Sequence, residues 1–72
     1  MDWQRYLNGY LAETKHGFYF VYEEFGLWYI EFEIGAVIYG DGNGRPLTLH
    51  GFRTLEIAQD RAKEHLNNLD GN

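Results

Sequence analysis

Seventy-two residues, 44% apolar, 24% charged and 18% aromatic, hold one small core and exclude a second domain, so a single domain over 1–72 is expected. The absence of cysteine excludes a disulfide framework, a thiolate zinc site and a cysteine nucleophile together, which leaves hydrophobic packing to hold the fold. A net charge of −5 opposes binding through nucleic-acid phosphates, so no direct nucleic-acid contact is expected.

In chain order, Trp3, Tyr6, Leu7, Tyr10 and Leu11 recur at spacings of three and four, which predicts an amphipathic helix over 3–12 with Asp2 as its N-cap. Asn8-Gly9 weakens that helix, because an interior glycine costs up to about 1 kcal/mol relative to alanine. After Gly17 the period falls to two. Phe18 to Glu23 and Leu27 to Ile34 read as the strands of a hairpin turning at Phe25-Gly26. A two-residue turn there sets Tyr22 opposite Tyr29, Phe20 opposite Glu31, Phe18 opposite Glu33, Val21 opposite Ile30 and Tyr19 opposite Phe32. One face then carries Tyr19, Val21, Trp28, Ile30, Phe32 and Ile34, which suits a core. The other carries Phe18, Phe20, Tyr22, Leu27 and Tyr29 beside Glu31 and Glu33, too apolar for plain solvent and too acidic for a core.

Gly35 interrupts the run, and Ala36 to Tyr39 resumes it as a bent continuation or a short separate strand. Gly40 to Gly44 reads as a loop, and Leu47 to Phe52 as a further strand that Pro46 places at an edge. From Thr54 the helical period returns, with Leu55, Ala58, Ala62, His65 or Leu66, and Leu69 on one stripe, Thr54 as N-cap and Gly71 past the end. Ala58 and Ala62 imply a helix lying close on the sheet. The expected fold is α+β: a three- to four-stranded antiparallel sheet with an N-terminal and a C-terminal helix packed on it, in the order α-β-β-β-α.

Catalytic and metal-binding patterns are weak throughout. His16, His50 and His65 fall on three separate elements without a ligand-pair spacing, and zinc catalysis needs three convergent protein ligands. Asp41-Gly42-Asn43 opens like a calcium loop, but Pro46 stands where glycine is needed and Phe52 where the bidentate glutamate belongs. The Gly40 to Gly44 loop lacks the Gly-Lys-Ser/Thr ending of a phosphate loop. Glu31 and Glu33, about 7 Å apart by strand rise, have no enclosing cleft that would make them an acid and base pair. No enzyme activity, cofactor or metal is expected.

Charge distribution is more informative. Between Lys15 and Arg45 there is no Lys or Arg, and that interval holds Glu23, Glu24, Glu31, Glu33 and Asp41, which account for the whole net charge of −5. Clustered like charge costs stability by self-repulsion, so it marks either a solvated acidic face that keeps the chain soluble or a recognition surface, for which the expected partner is a protein with a basic surface. The expected contact residues are Phe20, Tyr22, Tyr29, Glu31 and Glu33, with Glu23, Glu24 and Asp41 at the rim. Two alternatives compete: a homodimer or larger homo-oligomer built on this face or on the edge after Pro46, and a first helix that covers the face. The N-terminal segment has no signal-peptide pattern, and no apolar run approaches the roughly 20 residues of a membrane span, so a cytoplasmic protein is expected.

The order α-β-β-β-α, with Leu7-Asn8-x-Tyr10 early and Ala58, Ala62 and Leu66 late, resembles the double-stranded-RNA-binding domain. That family grips phosphates with basic residues at the start of its last helix. Here those positions read Thr54-Leu55-Glu56, followed by Asp60, so the resemblance implies the fold turned to protein interaction, not RNA binding. The aromatic hairpin and the closing Thr54-Leu55-Glu56-x-Ala58-x-x-Arg61-Ala62 helix are also similar to small acidic accessory proteins of phages and mobile elements, anti-CRISPR inhibitors among them. This second resemblance implies an inhibitor of a host nucleic-acid-handling protein.

Overall fold

A computed structural model describes residues 1–34 and 51–71, and the backbone of 37–40. Its strands are β1 (Gln4–Tyr6), β2 (Gly9–Glu13), β3 (Phe18–Glu24), β4 (Leu27–Ile34) and β5 (Val37–Gly40). They form a five-stranded antiparallel sheet in sequence order. Helix α1 (Leu55–Asp70) packs on one face, against β3 and β4. Among the described residues no helix is long and apolar enough to cross a membrane.

The predicted N-terminal helix is not formed, so the order is not α-β-β-β-α, although the fold stays α+β. Residues 4–13 instead make a hairpin that turns at Leu7-Asn8, with Leu7 at φ 50° and Tyr6 paired with Gly9. Alone, the β3–β4 ribbon would expose the backbone edge of β3, and β2 covers that edge from Gly9–Tyr22 to Glu13–Phe18. The supposed helical stripe is divided by this arrangement. Trp3 and Tyr10 pack on the core, Tyr6 and Leu11 line the opposite face, and Leu7 is 72% exposed in the turn.

The β3–β4 register is the one expected from a two-residue turn, with Tyr22 on Tyr29, Phe20 on Glu31, Phe18 on Glu33, Val21 on Ile30 and Tyr19 on Phe32. Phe25 at φ 54° and Gly26 at φ 81° both take the left-handed backbone of the favoured hairpin turn. Of the two readings of Ala36 to Tyr39, the separate strand is correct, since Val37–Gly40 runs back along β4. The expected loop after Gly40 and the edge strand after Pro46 lie outside the described residues, except at their end. There Phe52 exchanges two backbone hydrogen bonds with Trp28, each 2.7 Å.

The core is Tyr19, Val21, Ile30 and Phe32 from the sheet with Ala58 and Ala62 from α1, all buried, and Trp3, Tyr10, Trp28, Phe52, Leu55 and Leu66 close its rim. Thr54 caps α1 by accepting the Ile57 N–H at 3.1 Å, and the Gly71 N–H closes the far end on the Asn67 carbonyl at 2.7 Å. Asp70 sits where the helix dipole disfavours a carboxylate, and His16 at 2.7 Å and Lys15 at 3.2 Å offset this. Hydrogen bonds from those two residues hold its carboxyl below the usual range and tie the β2–β3 turn to the end of α1.

Tyr19 crosses the core so that its hydroxyl reaches His65 Nδ1 at 2.5 Å. Burial, with the Asp70 charge, pushes the phenol up to about 12, so it donates. Burial, followed by the Arg61 charge, lowers His65, which accepts as the neutral ring. A histidine whose folded value lies below its unfolded value contributes its stability in full above about pH 6.5, and that contribution falls as pH drops through the folded value. The melting temperature of the native protein should therefore fall more between about pH 7.5 and 5 than that of His65→Gln, which keeps an acceptor without a proton to gain. Parallel pH slopes in thermal melts would refute this assignment.

Candidate functional site: an acidic and aromatic sheet face

Because side chains alternate along a strand, the register assembles the face opposite α1 row by row. One row is Tyr6, Gly9, Tyr22 and Tyr29, the next is Gln4, Leu11, Phe20 and Glu31, and the third is Glu13, Phe18 and Glu33, with Glu24 and Leu27 at the corner. The rings touch in series. Tyr6 meets Phe20 edge-on at 5.7 Å, Phe20 stacks on Tyr22 at 5.2 Å, and Tyr22 stacks on Tyr29 at 5.7 Å. Such pairs each add about 1 kcal/mol beyond burial and hold the rings in fixed attitudes. Gly51 passes beside Leu27 and Tyr29 so closely that a Cβ there would stand 2.6 Å from Leu27 Cβ.

Carboxylates share this face with the rings. Glu13, Glu24, Glu31 and Glu33 all alternate onto it, while Arg5, the only Lys or Arg within the five strands, lies on the helix side over the Tyr10 ring at 5.3 Å. Lys15 is held by Asp70, and Arg61 by Glu64 at 2.9 Å. Between the rings and the glutamates runs a groove of about 280 Å³ lined by Tyr6, Leu11, Phe18, Phe20, Glu31 and Glu33.

Of the residues singled out in the sequence, Phe20, Tyr22, Tyr29, Glu31 and Glu33 converge here and Glu24 stands at the corner. Glu23 pairs with Trp28 on the helix side, with its carbonyl bound by the Asn8 side chain at 3.0 Å, and Asp41 lies outside the described residues. The first helix expected as one possible cover does not exist, and α1 lies on the other face. Tyr6 and Leu11 were not anticipated, because the helical reading of 3–12 hid them, and Glu13, just past that range, was placed on no strand. The available signal was Asn8-Gly9, a turn pair in the middle of a supposed helix. His16 and His65 are engaged by Asp70 and Tyr19, and no group of His, Asp or Glu among the described residues could hold a metal ion. Compared with known proteins, the chain matches no family model, no curated protein and no solved structure.

Proposed function

We propose that the protein is a non-catalytic binding module whose acidic and aromatic sheet face docks on a basic, nucleic-acid-binding surface of a host protein, in the manner of a phage-type inhibitor. The observation that carries this reading is a ladder of rings interleaved with carboxylates, with no strand cation on that side, on the face away from the helix. Glutamates spread across a sheet steer a cationic surface into register, and aromatic side chains held rigid by each other lose little entropy on contact. The partner's nucleic acid would be displaced because both compete for the same cations.

An affinity capture from the native cell, comparing the protein with the Glu31→Lys, Glu33→Lys double variant, tests it. The captured partner should bind the double variant at least about tenfold more weakly, and should elute as salt approaches about 1 M, where screening shortens to about 3 Å. Retention indifferent to salt and to both substitutions would overturn the proposal. Among the described residues β1 is an outer strand of the sheet, which favours one rival, a homo-oligomer formed through strand pairing. Light scattering at micromolar concentration separates the two, since a monomer excludes the rival as the resting state.

A further inference from the structure

We propose that the groove lined by Tyr6, Leu11, Phe18, Phe20, Glu31 and Glu33 receives the guanidinium of a partner arginine. This rests on the reading of the face as a docking surface and specifies the side chain it takes. At about 280 Å³ the groove has the size for one long side chain and lies just below the range of drug-sized ligand pockets. Its composition then discriminates among candidates. An anion meets Glu31 and Glu33, and an aliphatic side chain would strip water from those carboxylates without replacing their hydrogen bonds. A lysine ammonium satisfies charge but is a compact, strongly hydrated point that gains little from ring faces.

A guanidinium meets both demands at once. The Phe20 and Tyr6 rings stand at 82° with centres 5.7 Å apart, so its plane stacks on one ring and turns an edge to the other, while N–H groups remain for the Glu33 carboxylate on the neighbouring strand. The β1–β2 hairpin already makes such a contact on its reverse side, where the Arg5 guanidinium carbon stands 5.3 Å from the Tyr10 ring centre. Gly9 contributes by omission. With no side chain between Tyr6 and Tyr22 in their row, Tyr6 is free to lean onto Phe20 and form the end wall of the groove.

The test titrates the isotope-labelled full chain with hexa-arginine and hexa-lysine peptides at equal, low ionic strength, following backbone amide shifts. Hexa-arginine should bind at least about fivefold more tightly than hexa-lysine, with shifts centred on Tyr6, Leu11, Phe18, Phe20, Glu31 and Glu33. Tyr6→Ala and Phe20→Leu should each erase most of that preference, and Glu33→Gln should weaken both peptides; the amide spectrum of each variant confirms its fold. Equal affinities, or shifts centred on the acidic residues of α1, would overturn the inference. Equal affinities together with a protein partner lost on Glu31→Lys and Glu33→Lys would sink the arginine groove and leave the docking face standing. An arginine preference with no such partner effect would do the reverse.

Discussion

Gly9→Ala should remove more than half of the protein's stability at 25 °C. A Cβ at Gly9 would lie 1.8 Å from the Val21 carbonyl oxygen and 2.7 Å from Tyr22 Cα, both backbone atoms of the neighbouring strand. Neither can rotate aside, so β2 must separate from β3 and carry Ala12, Tyr10 and Trp3 away from the core. Disrupting that packing costs more than about 3 kcal/mol, against a total stability of about 5 kcal/mol for a domain of this size. Gly26→Ala is the control. Nothing lies within 4 Å of its Cβ position, so only its φ of 81° opposes the change, at about 1 kcal/mol. Urea melts followed by circular dichroism compare the two, and a Gly9→Ala midpoint close to that of Gly26→Ala would disprove the close-approach argument.

The second large effect is expected at Ala62→Leu. Ala58 and Ala62 are fully buried one turn apart against Tyr19, Val21, Ile30 and Phe32, so α1 touches the sheet almost backbone to side chain. A leucine at 62 meets those buried side chains and raises the helix, which also pulls His65 from the Tyr19 hydroxyl one turn along. Overpacking of this kind costs about 3 kcal/mol, which lowers the melting temperature of so small a domain by about 12 °C or more. Lys63→Leu, on the exposed side of the same turn, should move it by no more than a few degrees. Equal melting temperatures for the two variants would mean that the helix does not seat on its alanines.

The difference between these elements explains how much could be read in advance. The β3–β4 register follows from a two-residue turn and a period of two, both local, and every expected pair is present. Helix α1 follows from its stripe and from Thr54, and it is found where expected. The N-terminal segment was misread for a physical reason. Trp3, Tyr6, Leu7, Tyr10 and Leu11 satisfy a helical spacing, yet a strand sorts the same residues onto two faces, and both faces of this hairpin have apolar surface to meet. Apolar residues on both sides of a strand erase the alternation that would reveal it.

The candidate site divides along the same line. Phe20, Tyr22, Tyr29, Glu31 and Glu33 were legible together because one turn sets their side of the sheet, whereas Tyr6, Leu11 and Glu13 joined them only when β2 paired with β3. By itself the amino-acid sequence determined the central hairpin, its faces, the closing helix and the separation of charge, because each depends on neighbours a few positions apart. Tertiary structure alone decided that residues 4–13 become a hairpin of two strands, since what selects strand over helix there is the edge that β3 would otherwise leave open. An edge is a property of the assembled sheet, and no window of the chain contains it.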